Sequence, residues 1–232
     1  MHYEKAMTEG STGSRVACLA GASGLVGREL LELLLADTRY GRVHSLVRRA
    51  SNAPSADPKL VEQIVSFDAL PALPHADDAY VALGTTIKVA GSQEAFRRVD
   101  LDYVVAVARA ARTAGATRLG VVSALGADAK SKVFYNRVKG EMERAVLSLG
   151  YESVVLAQPS LLLGDRETLS QPARGGEVWA RRLLGPVAGL IPAQFRPVRA
   201  RDVAAALIAR LHATERGSVV VPSREMLGAA SD

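Results

Sequence analysis

Disulfides, long apolar runs and a hydrophobic leader are all absent from this sequence. Cys18 is the single cysteine among 232 residues, so no disulfide can form within the chain, and a reducing compartment is indicated. No stretch reaches about 18 uninterrupted apolar residues, so no transmembrane helix is predicted. Residues 1–14 are polar and lack the apolar core of a signal peptide. These absences predict a cytoplasmic protein that begins with a flexible leader over residues 1–14.

Runs of basic residues are also absent, although the formal net charge is +5 and the sequence pI is about 9.5. The adjacent arginine pairs are Arg48-Arg49, Arg97-Arg98 and Arg181-Arg182, well separated along the chain. A nucleic-acid-binding protein usually gathers its positive charge in one run or on one face. The scattered charge therefore predicts no nucleic-acid partner and favours phosphorylated small ligands.

Short apolar segments alternate with longer segments of helical patterning along most of the chain. The predicted strands are residues 15–20, 42–47, 63–67, 79–83, 118–123, 153–157 and 218–221. The predicted helices are residues 25–36, 93–114, 131–149 and 201–212. This alternation is typical of a parallel sheet covered by helices on both faces. We therefore predict an α/β protein with a single doubly wound Rossmann-type domain over residues 15–232.

A glycine-rich turn joins the first predicted strand to the first predicted helix. Its glycines, Gly21, Gly24 and Gly27, have the spacing G-x-x-G-x-x-G. Gly21 permits a tight turn, Gly24 lets the backbone approach a pyrophosphate, and Gly27 lets the helix pack against the strand. The free N–H groups of the helix N-terminus can then bind phosphates. The turn predicts a dinucleotide-binding site, the alternative being a glycine-rich turn without a ligand.

Two arginines, Arg48 and Arg49, follow the second predicted strand, and no acidic residue accompanies them. An acidic residue in this position would accept hydrogen bonds from the ribose 2′-hydroxyl of NAD, whereas arginine pairs with the 2′-phosphate of NADP. The forked guanidinium group suits phosphate. NADP(H) is therefore the predicted cofactor and NAD the weaker candidate, unless both arginines are only solvated surface residues.

A serine, a tyrosine and a lysine are spaced so that they can meet at one edge of the sheet. Tyr135 and Lys139 lie four residues apart and share one face of a predicted helix. Ser123 ends the fifth predicted strand, at the edge where open α/β sheets bind ligands. Reduction of a carbonyl needs a proton donor, and a nearby ammonium helps a tyrosine hydroxyl to give up its proton. The alternative is a core tyrosine beside a surface lysine.

With these motifs, the chain resembles the atypical short-chain dehydrogenases/reductases. It is most similar to the Tat-interacting-protein-like oxidoreductases and their bacterial epimerase/dehydratase-like relatives, over about residues 16–206. The most characteristic segments are residues 82–88 (ALGTTIK), 91–96 (GSQEAF) with 99–100 (VD), 131–141 (SKVFYNRVKGE) and 159–164 (PSLLLG).

The resemblance implies a catalytic triad of Ser123, Tyr135 and Lys139, with Lys139 also bound to the nicotinamide ribose. It further implies contacts with each part of the cofactor. The phosphates would be bound by Gly21, Ser23, Gly24, Leu25 and Val26 at the pyrophosphate and by Arg48 and Arg49 at the 2′-phosphate. Asp68 would contact the adenine, Leu83, Gly84 and Thr85 the ribose, and Pro159, Ser160, Leu161 and Leu162 the nicotinamide. Many relatives carry Asn where this chain has Asp100, and no catalytic role is predicted there.

Residues 165–200 are predicted to form a short cap that is too small for a nucleotide-sugar domain. Its arginines and apolar residues predict contact with an anionic or lipophilic substrate, a membrane surface or a partner protein, or else an ordinary solvated cap. The arginines of this region are Arg166, Arg174, Arg181, Arg182, Arg196, Arg199 and Arg201. No metal site is predicted, because the histidines His44, His75 and His212 are far apart in the sequence.

The sequence thus predicts an NADP(H)-dependent oxidoreductase that acts on a small carbonyl or alcohol. Two alternatives use the same nucleotide site: an epimerase-like enzyme, and a redox-sensing or regulatory protein that binds NADP(H) without turnover. The sequence leaves a monomer and a homodimer equally open.

Overall fold

A computed structural model describes residues 14–50, 57–163 and 192–230 of the chain. The predicted leader lies outside this part except for Ser14, as does most of the predicted cap over residues 165–200. Within the described ranges, no helix is both long enough and apolar enough to cross a membrane.

Seven parallel strands form one sheet in the order β3-β2-β1-β4-β5-β6-β9. Their bounds are β1 Arg15–Ala20, β2 Tyr40–Val47, β3 Leu60–Ile64, β4 Asp78–Val81, β5 Arg118–Val122, β6 Ser153–Gln158 and β9 Gly217–Pro222. A small second sheet pairs β7 (Leu162–Leu163) with β8 (Val198–Arg199). The order reverses at β1 and β4, and ligands of open α/β sheets bind at such a reversal, outside the carboxyl ends of the strands.

Helices cover both faces of the sheet. Their bounds are α1 Leu25–Ala36, α2 Ile87–Ala90, α3 Gln93–Arg97, α4 Val104–Thr113, α5 Phe134–Leu147, α6 Ala200–Ala213 and α7 Ser223–Met226. A π-helical turn, Arg98–Tyr103, joins α3 to α4. A single 3₁₀ turn, Ala193–Phe195, precedes β8.

The apolar side chains of the strands divide between two cores, one on each face. On one face, Leu19 and Val155 pack with Leu30 of α1 and Leu207 of α6. On the other face, the core includes buried side chains of α4 and α5, among them Val107 and Met142. Strands buried on both faces read as nearly continuous apolar runs, which is why the sequence pattern predicted this architecture correctly. The doubly wound Rossmann-type fold is confirmed.

The element bounds differ from prediction mainly at their ends. The third strand is Leu60–Ile64 and not 63–67, because Val65 and Phe67 are buried beyond the end of the strand, where apolar content alone cannot mark a boundary. The predicted helix over 93–114 is divided into α3, the π-helical turn and α4. Helix α5 begins at Phe134 and not at 131, because Val133 has extended backbone angles.

Candidate active site

The glycine-rich turn has the close packing that its glycines were predicted to allow. Gly21 has a φ of +99°, and a Cβ on it would lie 2.6 Å from the carbonyl carbon of Ala82. A Cβ on Gly27 would lie 1.9 Å from the carbonyl oxygen of Gly21. The Gly24 N–H donates to the Gly21 carbonyl at 2.9 Å, which closes the turn. Only glycine fits the chain at these two contacts, so β1 and α1 can approach each other closely.

The N-terminus of α1 suits the phosphates of a dinucleotide. Gly24 provides no side-chain cap, and the first turn of the helix has no acidic residue. Leu25, Val26 and Gly27 therefore direct backbone N–H groups toward the sheet edge with no side-chain acceptor at the cap. Ser23, beside them, is exposed. These residues fit a pyrophosphate, although the contact itself stays a prediction.

Two exposed arginines, Arg48 and Arg49, follow the carboxyl end of β2, next to β1 in the sheet. In the turn that follows β3, Asp68 accepts a hydrogen bond from the Tyr103 hydroxyl at 2.7 Å. Tyr103 also stacks on Phe67, with the ring centroids 5.7 Å apart. The structure thus places the predicted adenine residue, Asp68, against an aromatic side chain of the π-helical turn that the sequence reasoning did not select.

Ser123, Tyr135 and Lys139 lie on two neighbouring elements at the carboxyl edge. Ser123 directly follows β5 and is 5% exposed. Its hydroxyl lies near the Glu143 carboxyl, whose pKa it lowers, but it has no partner at hydrogen-bonding distance and angle among the described residues. Tyr135 and Lys139 are one turn apart on α5. Tyr135 is half-buried against Phe96, with ring centroids 5.4 Å apart, while Lys139 is buried. A buried hydroxyl without a partner is costly, so a ligand oxygen is the natural partner for Ser123.

Lys139 forms a buried ion pair with Asp100, a residue to which the sequence reasoning gave no role. The Lys139 ammonium nitrogen lies 2.7 Å from Asp100 Oδ1, and the two side chains are 5% and 1% exposed. The second carboxylate oxygen of Asp100 accepts the Thr85 N–H at 2.8 Å. A Cβ on Gly84 would lie 3.4 Å from Asp100 Oδ1, so this ion pair lies directly behind the loop that follows β4. The only available sequence signal was an acidic residue in the helix preceding the predicted triad.

Glu143, one turn beyond Lys139 on α5, is a half-buried group that sequence reasoning missed. It accepts hydrogen bonds from the Gln158 side-chain amide at 2.9 and 3.1 Å. Burial raises the pKa of the Glu143 carboxyl, and the nearby Ser123 hydroxyl, the Gln158 amide and the Lys139 ammonium offset part of that increase. The spacing of Tyr135, Lys139 and Glu143 at successive fours was the signal that could have found it.

The predicted nicotinamide residues connect the sheet edge to the C-terminal part of the chain. Pro159 accepts the Leu125 N–H at 2.9 Å, just beyond Ser123. The Ser160 hydroxyl donates to the Arg196 carbonyl at 2.5 Å, and Ser223 donates to Ser160 at 2.9 Å. Leu161 accepts the Val198 N–H at 2.9 Å, and Leu162 follows in β7. These residues lie at the carboxyl edge, as predicted, and their contact with a cofactor stays a prediction.

Two of the arginines assigned to the predicted cap are paired with carboxylates. Arg199 bonds to Asp202 at 2.8 Å through two nitrogens. Arg201 pairs with Glu29 and Glu32 on α1 at 3.0 and 3.2 Å. Both therefore contribute to packing near α6, which weakens the prediction of a basic cap. The other arginines of that prediction, except Arg196, lie outside the described residues.

A family model described as NAD(P)H-binding matches residues 21–158, which are more than half of the chain. The chain belongs to this NAD(P)H-binding family. Two relatives from distant organisms extend the match. The mitochondrial fmp52 protein of Emericella nidulans is 37% identical over 177 residues, which are 73% of this chain and 76% of the relative. Protein HTATIP2 of Rattus norvegicus is 34% identical over 172 residues, covering 72% and 69%.

Two solved structures have a similar fold. MoeE5 in complex with UDP-glucose and NAD has a TM-score of 0.65 and 17% identity, over 93% of this chain and 81% of that one. The ADP-L-glycero-D-manno-heptose-6-epimerase of Helicobacter pylori has a TM-score of 0.66 and 17% identity, over 91% and 77%. At these identities the likeness confirms the fold, while HTATIP2 among the sequence relatives supports the predicted resemblance to the Tat-interacting-protein-like, atypical short-chain dehydrogenases/reductases.

The family relatives also correct one prediction. A cytoplasmic location was predicted from the absence of a signal peptide and of disulfides. The fungal relatives from Emericella nidulans and Eremothecium gossypii are named mitochondrial proteins, which contradicts that prediction. Absences of this kind cannot separate one reducing compartment from another, so the reasoning had no physical basis for choosing the cytoplasm.

Proposed function

We propose that the protein is an NADP(H)-dependent oxidoreductase that transfers hydride to or from a small carbonyl or alcohol substrate. The observation that carries the proposal is the buried hydroxyl of Ser123 at the end of β5, which makes no geometric hydrogen bond to a described residue. It lies near Glu143, on the helix that also carries Tyr135 and Lys139. Three groups suited to bind and protonate a substrate oxygen therefore lie at the edge where the family binds its nucleotide.

The cofactor fits the loops that surround these groups. The amides of Gly21 to Gly27 would hold the pyrophosphate, and Leu83, Gly84, Thr85 and Lys139 would bind the ribose. Gly84 is exposed, which leaves room for a ligand above the buried ion pair. Pro159 to Leu162 line the nicotinamide end.

The protein side chains provide the proton and the polar contacts of the reaction. When bound, NADPH supplies the hydride. Ser123 donates a hydrogen bond to the substrate oxygen, and Tyr135 donates its proton to the same oxygen as negative charge develops there. Lys139, which is paired with Asp100, stabilises only part of the negative charge that remains on Tyr135. For an alcohol substrate, the same phenolate accepts the proton.

A turnover assay tests the proposal directly. The purified chain is incubated with NADPH and a panel of aldehydes, ketones and quinones, and loss of the NADPH absorbance is followed. Tyr135→Phe should lower kcat by about 100-fold or more, because a general acid contributes 10² to 10⁴ in rate. Calorimetry should show unchanged NADPH binding in this variant.

Tyr151→Phe is the matched control for that assay. Its hydroxyl donates to the Ala108 carbonyl at 2.6 Å, at the opposite edge of the sheet, so turnover should persist. If the wild type binds NADPH but reduces no member of the panel, or if Tyr135→Phe stays fully active, the enzyme proposal fails. The first outcome would favour a non-catalytic NADP(H)-binding protein.

The choice of NADP over NAD depends on Arg48 and Arg49. Both side chains are exposed beside the glycine-rich turn and are free of acidic neighbours in the sequence. NADPH should raise the melting temperature more than NADH does, and Arg48→Ala or Arg49→Ala should lower NADPH affinity by about tenfold, since one charge-assisted hydrogen bond is lost. Arg216→Ala, an exposed arginine just before β9, is the control. Stronger stabilisation by NADH would contradict the assignment.

A further inference from the structure

Asp100 is a buried carboxylate that binds two parts of the proposed site at once. It pairs with the Lys139 ammonium at 2.7 Å and accepts the Thr85 N–H at 2.8 Å. It is 1% exposed, so water screens its charge very little. The π-helical turn carries it to this position, and such turns occur frequently at functional sites.

Three elements lie around Lys139, and two of them bring titratable side chains. On its own helix, Tyr135 and Glu143 lie one turn away on either side, and the charge of Lys139 acts on the Glu143 carboxyl. From the π-helical turn, Asp100 contacts it directly. From the loop after β4, Gly84 and Thr85 bring no titratable side chain. Farther out, Arg97 of α3 pairs with Glu141 of α5, and this pair is partly exposed.

We propose that Asp100 is a positioning residue that fixes the Lys139 ammonium and cancels most of its charge as felt by Tyr135, which keeps Tyr135 a proton donor at neutral pH. This inference rests on the proposed function and deepens it. A lone buried ammonium beside a tyrosine favours the phenolate, which accepts protons and suits alcohol oxidation. An ammonium paired with a carboxylate acts as a dipole with a weaker field. The site is therefore built for carbonyl reduction.

The buried charges of Asp100 and Lys139 also stabilise each other. Removal of one partner from a buried ion pair leaves an uncompensated charge, whereas removal of both does not. Because Asp100 also binds the Thr85 amide, it holds the loop after β4 in a fixed position relative to Lys139. The same carboxylate thus aligns the proposed ribose-binding loop with the proposed proton donor.

The first test measures the ionisation of Tyr135 without any turnover. The full-length chain is labelled with ¹³C at the ring carbon bonded to the tyrosine hydroxyl, and the Tyr135 signal is assigned by its loss in Tyr135→Phe. In Asp100→Asn, the midpoint of the Tyr135 titration should move to lower pH by about one unit or more, since a nearby charge has been left unpaired. Asp102→Asn, an exposed carboxylate on the same π-helical turn, should not move it.

A second variant keeps the test decisive if Asp100→Asn does not fold. Asp100→Asn combined with Lys139→Gln removes both charges and leaves no lone buried ion. Its Tyr135 midpoint should lie within about half a unit of the wild type, because the pair is nearly neutral at that distance. A rise of more than one unit would mean that Lys139 acts as an unpaired charge, and it would overturn the proposal, as would an unchanged midpoint in a folded Asp100→Asn.

The pH profile of reduction supplies an independent readout. In the wild type, kcat for reduction should fall only at high pH, where Tyr135 loses its proton. In Asp100→Asn the fall should begin at lower pH by the same interval that the titration shows, while Asp100→Glu, which keeps the charge, should retain the wild-type profile. If the wild type shows no turnover, the proposed function fails, but the titration still decides the role of Asp100.

Discussion

The two ends of the parallel sheet differ in how their buried polar groups are paired. At the amino end, Asp78 is fully buried and accepts two hydrogen bonds from each of Arg15 and Arg118, at 2.6 to 3.0 Å. At the carboxyl end, the Ser123 hydroxyl is buried with no partner among the described residues. We call the first group the amino-edge network; it consists of Arg15, Tyr40, Asp78, Tyr80, Arg118 and His212.

The amino-edge network has a consistent set of donors and acceptors. The Tyr40 hydroxyl donates to Asp78 at 2.6 Å, so it accepts from Tyr80, 2.9 Å away. Arg118 donates to His212 Nδ1 at 3.2 Å. Arginine has no acceptor, so that ring nitrogen carries no proton, and His212 is neutral with its hydrogen on Nε2. Each partner therefore fixes the role of the next.

The pKa values in this network follow from the same contacts. Burial alone would raise the pKa of Asp78, but the hydrogen bonds from Arg118, Arg15 and Tyr40 outweigh burial, and its pKa is lowered. Burial lowers the pKa of His212 to about 4, and the positive charges of Arg39 and Arg118 add to that effect. The network thus stabilises the folded state at neutral pH, when Asp78 is charged and His212 is neutral.

The polar groups at the two ends of the sheet have different roles. The amino-edge network joins the first residues of β1, β2, β4 and β5, and its hydrogen bonds are satisfied within the protein. The carboxyl edge leaves Ser123 without a hydrogen-bond partner, a feature that costs stability and suits a ligand. Substitutions in the amino-edge network should therefore mainly lower stability, whereas substitutions at the carboxyl edge should mainly lower activity.

The largest effect on stability should follow Asp78→Ala. This change leaves Arg15 and Arg118 without their shared carboxylate, and breaking a buried ion pair costs about 3–5 kcal/mol. Urea unfolding should show that loss, while NADPH binding by the folded fraction is retained. Asp102→Ala, at an exposed carboxylate, provides the control. A loss below about 1 kcal/mol would mean that the amino-edge network does not stabilise the fold.

A smaller effect should appear as a pH dependence of stability. The pKa of His212 is about 4 in the folded protein and near 6.5 when unfolded, so the unfolded state binds more protons between these values. Stability from this residue is complete above pH 6.5 and decreases as the pH falls toward 4, by at most about 3 kcal/mol.

His212→Gln should remove that part of the pH dependence. Urea unfolding of both proteins between pH 4 and 7.5 makes the comparison, with His75→Gln, an exposed histidine, as the control. Equal slopes in the wild type and in His212→Gln would contradict the assignment of a neutral, buried His212. Acid unfolding that begins only below pH 4 would do the same.

The smallest effect on stability should come from Ser123→Ala. The hydroxyl makes no hydrogen bond to a described residue, so its removal should change the free energy of unfolding by less than about 1 kcal/mol. Turnover should nevertheless fall by about 100-fold, because a donor to the substrate oxygen is lost. Ser153→Ala is the control, since Ser153 is also buried and unbonded but begins β6 at the opposite edge. A large loss of stability in Ser123→Ala would mean that this hydroxyl stabilises the fold, and it would contradict its proposed role as a donor to the substrate.

Much of the carboxyl edge was predictable because it follows local rules. The turn from Gly21 to Gly27 precedes a helix and follows a strand, and a spacing of four places Tyr135 and Lys139 on one helical face. These relations hold over fewer than ten residues. The cofactor contacts and the catalytic roles remain predictions that the experiments above address.

The carboxylates that pair with Lys139 and with Arg15 could not be predicted in the same way. Asp100 lies 39 positions before Lys139, and Asp78 lies 63 positions after Arg15. No periodicity links such residues, and the π-helical turn that directs Asp100 inward has no distinct sequence pattern. The predicted cytoplasmic location failed for a related reason, because composition reports redox conditions and not a compartment.

The sequence by itself determined the alternation of strands and helices, the glycine turn and the spacing of Tyr135 and Lys139, since each depends on neighbours within a few turns of chain. Tertiary structure alone decided which charges are paired and which buried hydroxyls have no geometric hydrogen-bond partner among the described residues. The physical reason is that burial and hydrogen bonding between distant residues exist only once parallel strands bring their ends together.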